Sequence, residues 1–399
     1  MKRDTIQRLL TILLVSQVCV YIISCKNPES KSKTTSIDSL TLKPLRTVRI
    51  VIDSMTSGFS PLEYYSKDTS KHLYLLNSNL NTLQVYKMST GQLIKAISFP
   101  VNIGTPVHFT IHNRDTIFLV DPHRYQLSII NWNGDLINQI RLISDINDYK
   151  QALIHPPPLA TKDKYIANPT PSNKNPIYIV DNQIYIECVP WMDPLKADFF
   201  RLGKVKMKID LRSNQIEYFM GFPDLYRENL HFPTQFFSES SVLNRTEKTF
   251  VFSFPADPYI YTTTLDGTNM KKYWAGSKYF EVSKPLNRKT EDNIRHAEHA
   301  INNFHFERIC YDPYRDVYYR LVWHPDTEKP FSFSDQGNKI SIRLSIIILD
   351  SQFNKVGEAM LPKEVTNTFI FPTEAGLYIQ NGIVKDDEMI FTLFDLTIK

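Results

Sequence analysis

The sequence predicts an all-β chain folded as a six-bladed β-propeller. Three observations carry this. From residue 45 onward, apolar runs of five to nine residues alternate with tight turns and show little helical periodicity. Two such units align, with 43 residues between Gly91 and Gly134, inside the blade range of about 40–50 residues. Aromatic residues make up 12% of the chain, which favours strand, and 12 Gly in 399 residues exclude collagen-like and Gly-rich low-complexity classes.

Taken in chain order, the start is a targeting signal. Lys2, Arg3 and Arg8 precede an almost unbroken apolar run from Leu9 to Ile23. That run is short for a bilayer span, which needs about 20 residues, and typical for the middle of a signal peptide. It ends in Ile22-Ile23-Ser24-Cys25, which resembles the bacterial lipobox. The resemblance implies acylation of the Cys25 thiol and cleavage just before it, so that residues 1–24 are a lipoprotein signal peptide. An uncleaved anchor that happens to contain a Cys is the alternative. Lys26, in place of an Asp, implies sorting to the outer membrane. Glu29 alone falls short of the acidic cluster that accompanies surface export, so the periplasmic and surface-facing sides both stay open. Residues 25–43 are rich in Lys, Ser and Thr and read as a flexible polar tether, and 44–399 as the propeller domain.

The first repeat unit runs His72–Asn77, Thr82–Met88, a Ser89-Thr90-Gly91 turn and Gln92–Phe99. The second runs Asp115–Asp121, Tyr125–Asn131, a Trp132-Asn133-Gly134-Asp135 turn and Leu136–Leu142. The same turn recurs at Arg212-Ser213-Asn214, Leu265-Asp266-Gly267-Thr268 and Ser351-Gln352-Phe353-Asn354, each read as the hairpin between the third and fourth strands of a blade. Five turns give five blades. The end of the chain supplies three more strands, near Thr368–Phe371, Leu377–Gln380 and Met389–Leu396, and the start supplies one orphan, Leu45–Asp53. Pairing the orphan with the last three completes a sixth blade and hides the open edges. Seven blades is the alternative count, because two turn spacings are near twice the repeat. The surplus reads as insertions: residues 147–175, Pro-rich and without a convincing strand, and residues 284–303, a short helix with Ile294, Ala297, Ile301 and Phe304 on one face.

Asp115–Asp121 with Leu127–Gly134, and Ile309–Arg320, resemble the uncharacterised six-bladed β-propeller lipoprotein family of Bacteroidota. The resemblance covers most of the mature chain. Its motifs are structural, so it implies a fold and an envelope location and carries over no catalytic residue.

Candidate chemistry sits in the loops that share one rim of a propeller. These hold Asp121-Pro122-His123-Arg124, Trp191-Met192-Asp193-Pro194, Ala256-Asp257-Pro258-Tyr259 and Trp323-His324-Pro325-Asp326. Recurring Asp-Pro has a plain reading as turn chemistry, since Asp bonds its own backbone and Pro fixes φ. The sharper reading is a convergent ligand-binding rim of His123, Arg124, Trp191, Asp193, Asp257, Tyr259, Trp323, His324 and Asp326. There the carboxylates could hold a hard cation such as calcium, and the tryptophans could stack on a sugar or peptide ring. No EF-hand-type loop supports calcium, and no other cofactor is indicated. His296 and His299 could share a helix face and bind zinc with a third ligand such as His305. The spacing matches no zinc-hydrolase motif, and solvated histidines are the plainer expectation. Tyr311–Asp316 reads as a strand corner, with Arg315 or Arg320 paired to a carboxylate. Cys188 and Cys310 read as two buried thiols, although an oxidising compartment would permit a disulfide.

A net charge of +4 without a basic run excludes a nucleic-acid partner. No GxSxG motif or P-loop occurs. The leading expectation is a lipid-anchored envelope propeller that binds a ligand, protein or glycan. The alternatives are a divalent-cation-dependent propeller hydrolase or lyase acting on a sugar or lactone, and a structural subunit of an outer-membrane assembly.

Overall fold

The computed structural model describes residues 39–398, apart from 53–55, 57–59, 67–70, 114, 144, 146, 149, 151–164, 229, 288–290, 336–339, 342 and 383–386. Cys25, the signal peptide and most of the expected tether lie outside the described residues. Six antiparallel sheets follow one another along the chain. Blade 1 is β2 (Leu62–Tyr65), β3 (His72–Asn77), β4 (Thr82–Lys87) and β5 (Gln92–Ser98). Blade 2 is β6 (His108–Asn113), β7 (Thr116–Asp121), β8 (Gln126–Ile130) and β9 (Leu136–Arg141). Blade 3 is β10 (Ala167–Pro169), β11 (Tyr178–Val180), β12 (Gln183–Pro190), β13 (Lys204–Asp210) and β14 (Ile216–Gly221). Blade 4 is β15 (Ser240–Asn244), β16 (Thr249–Ser253), β17 (Tyr259–Thr264) and β18 (Lys271–Trp274). Blade 5 is β19 (His305–Asp312), β20 (Val317–His324), β21 (Arg343–Asp350) and β22 (Lys355–Met360). Blade 6 is β23 (Val365–Thr373), β24 (Gly376–Asn381) and β25 (Glu388–Ile398), completed by β1 (Leu40–Val51).

The chain is therefore a six-bladed propeller closed by its N-terminal strand, and the seven-blade count is set aside. All five expected turns join the third and fourth strands of their blades. The strand expected at Leu45–Asp53 begins earlier, at Leu40, so the last residues read as tether are strand. Its pairing with β25 runs from Leu40 opposite Ile398 to Val51 opposite Glu388, with a bulge at Pro44 and Arg46.

Period-two alternation builds the core, because each middle strand is covered on both faces by neighbouring blades. On β20, Val317, Tyr319, Leu321 and Trp323 pack towards blade 6, while Tyr318 and Val322 pack towards blade 4. All eight of its residues are buried. Six apolar clusters result, one at each blade junction. The junction of blades 6 and 1 is as apolar as the rest, with Met389, Phe391 and Leu393 against Leu73, Leu75 and Tyr86. The blade 3–4 junction is the most aromatic, uniting Phe199, Phe200, Phe222, Tyr226 and Phe237 with Phe250, Phe252 and Phe254.

Three short helices lie among the described loops: α1 (Ala197–Leu202), α2 (Asp224–Arg227) and α3 (Asn293–Ile301). The helix expected within 284–303 is α3, but its apolar face differs from the expectation. Ile294 is 58% exposed, and the buried positions are His296 and Ala300. The helix turns this way because His296 Nδ1 accepts the Thr234 N–H at 3.0 Å, docking it on the loop before blade 4. Residues 147–175, expected to lack a strand, contain β10.

Candidate functional site

The loops between second and third strands, together with the blade-to-blade loops, form one face of the ring, called here the upper rim. The expected ligand-binding residues lie on it or just beneath it, whereas the Tyr311–Asp316 corner lies in a first-to-second-strand loop on the opposite face. The four Asp-Pro or His-Pro loops are equivalent in the blades, and their aspartates are committed to their own turns. Asp121 accepts from the His123 and Arg124 N–H groups at 2.9 and 3.1 Å and, through its other oxygen, from Thr105 at 3.0 Å. Asp193 accepts from Leu195 N–H, and Asp326 from the Glu328 and Lys329 N–H groups. Asp257 is buried, accepts from the Tyr259 N–H and the Tyr261 hydroxyl, and has its carboxyl raised above the usual range by burial. Turn chemistry thus accounts for these residues. Among the described residues, no group of three or more His, Cys, Asp or Glu is placed to hold a metal ion.

The other predicted residues are equally divided among local partners. Arg124 donates to the Asn102 carbonyl at 3.2 Å, and His123 is exposed. Trp191 packs edge-on against Tyr125 at 5.2 Å, and Tyr259 edge-on against Trp274 at 5.1 Å. Trp323 is 8% exposed, donates its indole N–H to the Ile301 carbonyl and stacks on His305, so it offers no open face to a sugar. His324 contacts the Ser345 hydroxyl at 2.8 Å, and Ser345 in turn lies 3.4 Å from Glu358. This His-Ser-Glu chain is sealed: Ser345 is fully buried, and burial pushes the His324 imidazole down to about 4. The three histidines considered for zinc serve separate partners. His299 contacts the Lys284 carbonyl, His305 contacts Asn303 and Glu307, and His296 is buried rather than solvated. Arg315 pairs with Asp312 at 3.0 Å as the corner reading expects, whereas Arg320 donates to backbone carbonyls of blade 4. Cys188 and Cys310 are unpaired, and burial raises both thiols.

Two features escaped the sequence reading. The innermost strand of blade 3 is broken into β10 and β11, both paired with β12. The intervening residues 170–177 cross the axis of the ring. Asn173 Oδ1 accepts from Leu62 N–H of blade 1, and the loop lies against the buried His108 of blade 2. Asn175 accepts from Ser241 N–H at 2.7 Å and donates to the Glu239 carbonyl at blade 4, and Lys174 reaches Glu307 of blade 5 at 3.6 Å. Contacts to four other blades mean that the axial channel is plugged. Beside this loop lies a buried charged trio. Lys206 and Glu239 are fully buried and 3.5 Å apart, and Glu187, 2% exposed, takes the Ser238 hydroxyl. Burial and the neighbouring Glu239 push the Glu187 carboxyl up to about 8.

The upper rim also carries an open cleft of about 620 Å³ between Lys284–Asn287 and α3, lined further by Arg295, Glu298, His299, Asn302 and Asn303. Its walls are pinned. Glu298 accepts from the Ser332 hydroxyl and the Phe333 N–H at 2.7 and 2.8 Å. The Asn302 side chain makes a pair of 2.7 Å bonds with the Phe331 backbone, and Leu286 N–H bonds the His231 carbonyl. The sequence signal for this cleft was the helical insertion itself.

The comparisons agree with the architecture. The ring superposes on the crystal structure of a DUF4221 family member from Bacteroides vulgatus with a TM-score of 0.77 at 18% identity, over 91% of this chain and 99% of that one. Looser likenesses include a putative exported protein from Bacteroides fragilis (TM-score 0.49, 9% identity, 90% and 95% covered). Another is virginiamycin B lyase from Staphylococcus aureus (TM-score 0.41, 9% identity, 90% and 100% covered). No curated protein matches. The model of the family described as a domain of unknown function, DUF4221, matches residues 28–360, and the chain belongs to that family.

Proposed function

We propose that the protein is a binding module, held at the outer membrane by a lipid on Cys25, that takes its ligand on the upper rim. The observation that carries this reading is the cleft beside α3. It has the size of a ligand pocket, about 300–1,000 Å³, and is built by the inserted connection between blades 4 and 5 that carries α3. The rim's aspartates and His324 are meanwhile engaged by turns and core contacts.

The test is in two parts. Metabolic labelling with an alkyne fatty acid should mark the wild type, and Cys25→Ala should abolish the label and move the protein to the soluble fraction. A soluble chain starting at Ser39 should then show ligand-induced thermal shifts in a screen of peptides, glycans and cations, and substitutions lining the cleft should remove them. Label persisting in Cys25→Ala would end the anchoring reading. Shifts that survive every cleft substitution would end the assignment of the site.

A further inference from the structure

We propose that the cleft beside α3 takes an acidic peptide segment, seating a carboxylate between Lys284 and Arg295 and laying a neighbouring apolar side chain on exposed hydrophobic residues of the cleft segments and of the adjoining β20–β21 loop. The proposal deepens the reading of the upper rim as the binding face and rests on it.

The charge balance of the lining points to an anion. Lys284 and Arg295 are exposed cations on opposite walls. Arg295 engages Asp292 through Nε alone, at 3.4 Å in an exposed pair, while the other oxygen of Asp292 caps α3. Among the described residues nothing engages its two terminal nitrogens, which can take a bidentate carboxylate. Glu298, the one carboxylate among the described lining residues, is already used by Ser332 and Phe333 and points its charge into those donors. Asn302, Asn303 and His299 hold the walls through bonds to backbone carbonyls and are set before any ligand arrives.

The apolar surroundings favour a peptide over a sugar acid. Val282, Ile294 and Phe333 are 47%, 58% and 54% exposed. Val282 lies two residues before Lys284, Ile294 is next to Arg295, and Phe333 is hydrogen-bonded through its N–H to the cleft residue Glu298. Large apolar side chains left in water beside exposed cations mark a surface that a mixed acidic–apolar partner would cover. A uronate chain would satisfy the cations and leave these three side chains wet.

Fluorescence anisotropy on the chain starting at Ser39 tests this with labelled hexapeptides carrying Glu beside Phe or Leu, their Gln counterparts, and an oligogalacturonate. The Glu peptides should bind, weaken as salt rises from low to 0.3 M, and lose about tenfold in affinity with Lys284→Glu or Arg295→Glu. Phe333→Ser should weaken them without changing the salt dependence. All three positions are exposed, and unchanged thermal melts will show that the variants fold. Equal binding of Glu and Gln peptides would overturn the charge assignment while leaving the rim as a binding face. Binding of oligogalacturonate but no peptide would overturn the choice of partner. No peptide or oligogalacturonate binding, in a protein whose cleft substitutions do remove shifts by another ligand, would overturn the proposal and spare the rim. A cleft whose substitutions remove no ligand's shift would take down the rim reading as well.

Discussion

Arg320 of blade 5 and Asp257 of blade 4 meet through the backbone: Arg320 Nη2 donates to the Asp257 carbonyl oxygen at 2.6 Å. The Asp257 carboxylate serves Tyr259 and Tyr261 instead. The guanidinium also donates to the Pro258 and Ala275 carbonyls at 2.9 Å each and to the Ser253 hydroxyl at 2.8 Å, with its face 3.5 Å from the centre of the Phe306 ring. Arg320 is fully buried, and burial pushes it down to about 9, so it stays charged at neutral pH. A buried cation is thus compensated largely by carbonyl dipoles. The Asp-Pro loop of one blade takes its shape from the next.

Replacing Arg320 should therefore be among the most costly single changes in the ring. Arg320→Met keeps much of the side-chain volume but leaves several buried carbonyls without donors, each costing about 1–3 kcal/mol. A total loss of at least about 3 kcal/mol is expected. Arg320→Lys should recover little, because one ammonium cannot span the fork of carbonyls. Urea unfolding measures both, and a Lys variant as stable as the wild type would contradict the forked geometry.

The contrast between what was legible and what was not has a physical basis. Tight turns demand special backbone, and the residues that supply it are readable: Gly91, Asn214 and Gly267 all sit at positive φ in their hairpins. Strand count followed from those turns. The broken inner strand of blade 3 was hidden because β10 and β11 are three residues each, too short for any periodicity. Glu187 and Lys206 look like solvent-facing alternates of β12 and β13. In a propeller the alternate face of a middle strand meets another blade, so the polar pattern concealed a buried trio. The Asp-Pro loops were visible, but sequence alone could not tell a carboxylate aimed at a ligand from one bonded to its own turn.

Glu187 makes stability depend on pH in an unusual direction. Its carboxyl keeps a proton in the folded chain up to about 8, while the unfolded chain releases it near 4.5. The folded state binds more protons across that window, so stability is full below it and falls as pH rises through it. Glu187→Gln mimics the protonated group and can keep the Ser238 bond. The variant should match the wild type near pH 5, exceed it near pH 8, and flatten the slope between. Parallel pH profiles of the two proteins in denaturant titrations would refute a proton held at this site.

The plug across the axis should be a cooperative part of the fold. Asn175 is fully buried and joins the crossing loop to both Ser241 N–H and the Glu239 carbonyl. Asn175→Ala leaves one buried donor and one buried acceptor unmet, at a cost of about 2–4 kcal/mol. Hydrogen exchange should speed up at Ser241 and at Leu62, whose N–H is held by Asn173 two residues away. Exchange that changes only within residues 170–177 would show that the plug is a surface loop without weight in the ring.

Closure of the ring rests on β1, and both its ends are seated on glycines of neighbouring blades. Gly357 of blade 5 lies against the Leu40 carbonyl, and Gly91 of blade 1, at φ +68°, lies against that of Arg49; a Cβ at either place would run into the oxygen. Ser39 N–H adds a 3.0 Å bond to the Val356 carbonyl. A chain starting at Ile52 would leave β25 as an open edge with Met389, Phe391 and Leu393 beside it, a template for aggregation. It should self-associate and melt well below the full domain. A synthetic peptide of residues 39–51 added in trans should restore the monomer and raise the melting temperature, as strand addition does elsewhere. Gly357→Val in the full domain should cost about 1–3 kcal/mol by overpacking, and in the truncated chain should blunt rescue by the peptide. If the truncated chain stays monomeric and melts with the full one, β1 is an accessory to a ring that closes without it.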